Sequence, residues 1–213
     1  MARPRAATYD EQREAILARA AELFARQGYT ATTMNQVAAA CGVTKPTLYH
    51  YFADKQSLLM HIAAGHVARL EALAAEVDAQ GQAPAVRLRA LIERFMRAYA
   101  DAQHQHRVLT EDVRFLPDAE RHQVLAAERR VVAAFADAVA AVRPELRTRQ
   151  LHKPLTMLLF GMMNWTFTWL RPDGALSYDA LGAIVADLFG GGLQALPVPA
   201  PRRAARGPLR QRG

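Results

Sequence analysis

Residues 44–55 read Thr-Lys-Pro-Thr-Leu-Tyr-His-Tyr-Phe-Ala-Asp-Lys. Lys45 and Lys55 are cations, His50 is a base near neutrality, and Thr44, Thr47, Tyr49 and Tyr51 carry hydroxyl donors. Ammonium and hydroxyl groups donate to phosphate oxygens, and lysine also donates to guanine acceptors. Such a set, gathered into one short stretch with a single acid, suits contact with a polyanion. A second stretch, Leu155 to Leu170, is apolar on every face and contains Met162, Asn164, Trp165, Phe167 and Trp169. Methionine and aromatic side chains make adaptable apolar walls. Trp165 and Trp169 fall one helical turn apart, placed to stack on a flat ring. Plain core packing or contact with a second copy explains the same stretch.

Other chemistry finds little support. There is no Gly-x-Ser-x-Gly, P-loop or dinucleotide glycine fingerprint. Cys41 is the single cysteine, which excludes a disulfide framework and a Cys-based zinc site. His104 and His106 lie near Glu111 and Asp112. Residues two apart on a helix diverge, so they read as surface histidines and no metal is expected. Neither enzymatic chemistry nor a cofactor is expected.

The elements that must position both stretches are helical. Asp10-Glu11 precede Ile16, Ala20, Leu23 and Phe24 at amphipathic spacing, and Gly28 stops that helix. Thr33 caps a second helix, Gly42 supplies a turn, and Thr44 caps a third with Pro46 in its first turn. Asp54 caps a fourth. Val37, Ala38, Val43 and Leu48 are placed to share a core, with Ala38 and Ala39 small enough for close approach. Further helices are expected near 55–79, 85–103, 105–114, 118–142, 146–170 and 177–195, with Pro154 awkward inside the fifth of these. No alternating strand pattern or repeat shows. The apolar run 155–170 is too short to span a membrane.

The 213 residues carry a formal charge of +7. Residues 1–60 hold 7 Lys and Arg against 5 Asp and Glu, residues 61–196 hold 15 against 15, and residues 197–213 hold 5 Arg and no acid. The charge therefore sits at the two ends around a neutral body. A charged N-terminus, Met1-Ala2-Arg3-Pro4-Arg5, shows no signal-peptide pattern, and a cytoplasmic location is expected.

The stretch from Ala15 to Leu59 resembles the DNA-binding domain of the tetracycline-repressor (TetR) family. The match centres on Gly42 to Phe52 with Asp54-Lys55. The resemblance implies an all-α fold with a three-helix helix-turn-helix domain followed by a helical bundle, about nine helices in all. It implies a flexible basic arm at 1–9, a DNA-binding domain at 10–58, an effector and dimerisation domain at 59–196, and a disordered Arg-rich tail at 197–213. Thr33, Tyr49, Tyr51 and Lys55 would hold phosphates, while Thr44, Lys45, Pro46, Thr47 and His50 would face base edges or neighbouring phosphates. Arg3 and Arg5 would either reach DNA or stay solvated. The partners implied are double-stranded operator DNA, a small-molecule effector and a second copy of the chain, with no membrane. Residues 160–174 resemble TetR-type repressors of aromatic and acyl-CoA catabolism. That implies a CoA-thioester effector, phenylacetyl-CoA or a related aromatic or acyl-CoA, held by Asn164, Trp165, Trp169, Met162, Phe167 and Arg114. Arg89, Arg94, Arg97 and Arg107 are further candidate cations. The alternative is a repressor of an efflux or other catabolic operon with a different hydrophobic ligand.

Overall fold

The computed structural model describes residues 5–171 and 174–197. They form α1 (Arg5–Gln27), α2 (Met34–Ala40), α3 (Lys45–Tyr51), α4 (Lys55–Ala79), α5 (Pro84–Asp101), α6 (Gln103–Asp112), α7 (Asp118–Val142), α8 (Glu145–Thr148), α9 (His152–Asn164) and α10 (Tyr178–Ala195). Two 3-10 turns, Val113–Phe115 and Thr166–Thr168, follow α6 and α9. No strand occurs among the described residues.

The first three helices and the start of α4 close over one small core. Ile16, Ala20 and Phe24 of α1 meet Val37, Leu48, Phe52 and Leu58, all fully buried. Gly42, at φ +64°, makes the turn between α2 and α3 in the left-handed region that a Cβ disfavours. Ala39, expected to face α3, is exposed instead; it lies on the outer face of α2, next to the inward Ala38. The basic arm expected at 1–9 lies partly outside the described residues, Arg3 included, and from Arg5 onward the chain is already helical.

The larger body is organised around α4, which packs on α1, α5, α6 and α7. Helix α4 runs through the expected boundary at residue 58 and belongs to both units. It is the one described helix long and apolar enough to cross a membrane, and its Leu59, Ile62, Val67, Leu70 and Val77 are spent on the core. Helices α5 and α10 approach closely at Gly182, where a Cβ would meet the Met96 Cβ at 3.3 Å. Phe95 meets Phe135 edge-on and Phe135 meets Phe160 at a tilt, at 4.7 and 4.9 Å between centroids, tying α5 to α7 and α9. Each such buried ring contributes about 1.5–3 kcal/mol.

The single helix expected over 146–170 is broken in two places. Gln150, at φ +58°, ends α8, and the Leu151 N–H bonds the Leu146 carbonyl at 2.8 Å across the turn. Pro154 then lies in the first turn of α9, where its missing N–H costs little. At the far end, Thr166 Oγ1 donates to the Met163 carbonyl and Thr168 Oγ1 to the Trp165 carbonyl, at 2.8 and 2.6 Å. These hydroxyls compete with the helical ladder and leave a 3-10 turn. The C-terminal tail lies outside the described residues from residue 198 onward, as do Pro172 and Asp173.

Candidate functional sites

Helix α3 projects from the small domain with one face open. Its N-cap is Thr44, whose hydroxyl accepts the Thr47 N–H at 3.3 Å and lies 2.7 Å from the Thr47 hydroxyl. Leu48 anchors the helix in the core, while Thr44, Lys45, Pro46, Tyr49 and His50 stay exposed and Thr47 is half-buried. The Tyr49 ring is 43% exposed with Lys45 Nζ 5.8 Å from its centroid. Thr33 starts α2 with a reciprocal cap: its N–H donates to Gln36 Oε1 at 2.8 Å and its hydroxyl accepts the Gln36 N–H at 3.3 Å. An exposed threonine at a helix N-terminus and an exposed helix carrying donors can meet a phosphate chain and groove edges together.

Two expected phosphate residues have other partners. Lys55 Nζ donates to the carbonyls of Tyr29, Thr30 and Thr32 at 2.8, 3.3 and 2.8 Å, and lies 4.4 Å from the Tyr29 ring centroid. Its three N–H bonds are thereby used, clamping the loop that leads into Thr33. A direct phosphate contact by Lys55 would have to break this clamp. Tyr51 stacks on Tyr9 at 4.6 Å and donates to Gln12 Oε1 at 3.1 Å, bracing α3 against α1. Half-buried Cys41, whose thiol burial pushes above its usual range, is a packing residue here.

The body holds a cavity of about 590 Å³, open to solvent on one side, between α4, α5, α6, α7 and α9. Val67, Leu70, Leu109, Leu125, Val131, Val132, Met157 and Phe160 make its walls apolar. Its polar groups are few: Tyr99, His106, Thr110, Glu128, Asn164, and the cations Arg129 and Lys153. The Tyr99 hydroxyl donates to Asn164 Oδ1 at 3.0 Å, which leaves the Asn164 amide N–H groups for a ligand. His106 stacks on Tyr99 at 3.7 Å and its Nδ1 lies 3.4 Å from His66 Nε2. Both imidazoles are buried, and burial drives His66 down to about 3 and His106 down to about 4. They are neutral at pH 7. His106, expected at the surface, is therefore a buried wall; among the described residues no group of three or more His, Cys, Asp or Glu is placed to hold a metal.

Of the effector residues expected from sequence, Asn164 alone lines this cavity. Trp165 and Trp169 are 53% and 56% exposed because the helix ends before them. Met162 faces out with Leu158 of α9, and Ile184 and Leu188 of α10 are exposed as well. Phe167 packs edge-on behind His106 at 6.0 Å. Arg114 lies over Phe115, and Arg89, Arg94, Arg97 and Arg107 pair with carboxylates at Asp187 and Glu93, Glu76, Asp179 and Glu111. Arg129 and Lys153 have no such partner among the described residues. Sequence reasoning missed them along with Glu128. A signal existed for Glu128: it falls on the apolar stripe of α7, four residues after buried Val124 and three before buried Val131.

Cavity and small domain are joined by contact. Helix α6 lines the cavity with His106, Leu109 and Thr110 and packs against α1 on its other side. The 3-10 turn after α6 puts Phe115 in a stack with Tyr29, centroids 5.3 Å apart, directly on the Lys55 clamp.

Residues 16–62 match the profile described as "Bacterial regulatory proteins, tetR family", and residues 81–193 match "Tetracyclin repressor-like, C-terminal domain". A TetR-family transcriptional regulator from Bordetella parapertussis 12822 superimposes with a TM-score of 0.81 at 36% identity, covering 88% of this chain and 98% of that one. The transcriptional activator FasR of Mycolicibacterium smegmatis is 27% identical over 198 residues, 89% of this chain and 86% of its own. Apo AibR shares the fold at a TM-score of 0.71 and 25% identity, covering 83% and 97% of the two chains. AibR has also been solved with isovaleryl coenzyme A and operator DNA.

Proposed function

This chain belongs to the TetR family of DNA-binding transcriptional regulators, and from that premise we propose that it is a cytoplasmic repressor released from a palindromic operator by a CoA thioester. The observation that carries the effector class is the cavity: apolar walls for an acyl group, with the unpaired cations Arg129 and Lys153 for phosphates. Asn164 is placed to donate to the thioester carbonyl. AibR supports the effector class, since the same fold there holds isovaleryl coenzyme A. Phenylacetyl-CoA or a related aromatic or acyl thioester is the proposed effector.

On the DNA side, Lys45, Pro46, Thr47 and His50 read base edges, while Tyr49 and the cap at Thr33 take phosphates. Lys55 and Tyr51 act through the residues they brace. One such domain reads a short half-site, so two copies are required. The apolar face of Leu158, Met162, Trp165, Ile184 and Leu188 joins them, with α9 and α10 of each copy forming a four-helix bundle about a two-fold axis. The bound dimer blocks polymerase.

Release is a population shift. A ligand under α6 favours the position of α6 and its 3-10 turn in which the two α3 helices no longer match the operator spacing. It does so by binding that state more tightly than the DNA-bound one. The test titrates the operator complex with phenylacetyl-CoA, free phenylacetate and a long-chain acyl-CoA. Release by a thioester and not by the free acid is expected; release by none of the three removes the CoA reading.

A further inference from the structure

The CoA reading explains the cavity's apolar walls and its two cations, and it leaves one wall residue without a role. Glu128 lines the cavity on the α7 side, where its neighbours are Leu125, Val131, Val132 and the cation Arg129. Neither a hydrogen bond nor an ion pair holds it among the described residues. Its neighbour Arg129 does not pair with it, and Arg130 turns outward to Glu71. Across the cavity stands Tyr99, whose hydroxyl is raised by burial first and by Glu128 second. Tyr99 is in turn bonded to Asn164.

Glu128 is half-buried, and a ligand that fills the cavity shuts its carboxyl off from solvent, a cost that the ligand offsets only by supplying a hydrogen-bond partner itself. A plain acyl chain or an unsubstituted phenyl ring offers it nothing. A ligand carboxylate would repel it. A cationic ligand would meet Arg129 and Lys153 on the same cavity. A neutral hydroxyl fits all three constraints, because it donates to the carboxylate and also accepts from a neighbouring donor.

We propose that the acyl part of the effector carries a hydroxyl group, and that Glu128 is the residue that reads it. The assignment rests on the CoA-thioester reading for the ligand's other end. It is consistent with burial pushing the Glu128 carboxyl above its ordinary range, which keeps a hydrogen-bonding group there with less charge to desolvate. A site built around a buried polar group rejects the analogue that lacks its partner far more strongly than an apolar pocket rejects an added methylene.

The experiment compares matched pairs by calorimetry on the full chain: octanoyl-CoA against 3-hydroxyoctanoyl-CoA, and the same two acyl groups on N-acetylcysteamine, which lacks the CoA phosphates. The hydroxylated member of each pair should bind at least about tenfold tighter, the equivalent of one satisfied polar contact. Glu128→Leu should erase that difference while octanoyl-CoA still binds, which also shows that the variant is folded. Glu128→Gln should retain most of the preference. Equal binding of both members by the wild type overturns the hydroxyl assignment and leaves the CoA reading standing. A Glu128-dependent preference in the N-acetylcysteamine pair without binding of either CoA ester has the opposite meaning: the hydroxyl is read and the CoA end is wrong. Tighter binding of octylamine than of either ester makes Glu128 a counter-ion for a cation and overturns the assignment.

Discussion

The open face of α3 and the cavity under α7 are built in opposite ways. The face takes Lys45, Pro46, Thr47, Tyr49 and His50 from one seven-residue helix. The cavity takes its lining from five helices. A contiguous face moves as one body and keeps its internal geometry wherever the helix goes. A composite cavity changes shape when any one wall moves. The first design suits reading a fixed pattern, and the second suits converting occupancy into movement. Helix α6, the 3-10 turn after it and the Lys55 clamp are where the two designs meet.

The largest effect is expected from separating the copies while leaving each site intact. Leu158→Glu with Leu188→Glu places charges on the exposed apolar face, 65% and 66% open in the single chain. The variant should sediment as a monomer, and operator affinity should fall by two orders of magnitude or more; a persisting dimer would move the interface elsewhere. Next in size is the clamp. Lys55→Ala leaves three carbonyls without their donor, at about 1–3 kcal/mol for the group. Affinity should drop about tenfold on every DNA sequence, and Tm should fall by several degrees in the same sample. Lost affinity at an unchanged Tm would restore the direct phosphate role. Lys45→Ala should do the reverse, leaving Tm unchanged and relaxing preference at one base pair by about tenfold. A uniform loss across sequences would reassign it to the backbone.

The smallest effects come from pH. His66 and His106 sit near 3 and 4 because burial disfavours their charged forms. The unfolded chain takes up protons below about 6.5 while the folded chain does not. Stability is therefore lost as pH falls from 6.5 toward 4, and His66→Asn should flatten that acid limb in a thermal melt. Asp112 has the opposite sign. Burial raises its carboxyl from 3.8 to about 6, so stability present below 3.8 is lost as pH rises through 6. Asp112→Asn should raise Tm at pH 8 and leave it unchanged at pH 4. A gain at both values would point to packing.

The helix-turn-helix was legible because its determinants are local. Thr33, Gly42, Thr44, Pro46 and Asp54 each act within a turn of their own position, so type and spacing are enough to place them. The Lys55 clamp was not legible for a related reason: its partners Tyr29, Thr30 and Thr32 lie more than twenty residues away. The cavity was mostly illegible. Trp165 and Trp169 looked like walls while the helix was assumed to continue, and two threonine hydroxyls end it before them. Arg129 and Lys153 are ordinary surface cations by pattern; the packing of α7 against α9 alone brings them to one cavity.

The stack of Phe115 on Tyr29 gives the protein a built-in reporter. Two rings 5.3 Å apart and nearly parallel at 22° shift each other's proton resonances strongly. Fluorine placed on the Phe115 ring would feel any sliding of the turn over Tyr29. With no DNA in the tube, such a label would show whether a saturating ligand moves the turn completely or leaves a mixture of two positions. That distinction separates a full inducer from a partial one.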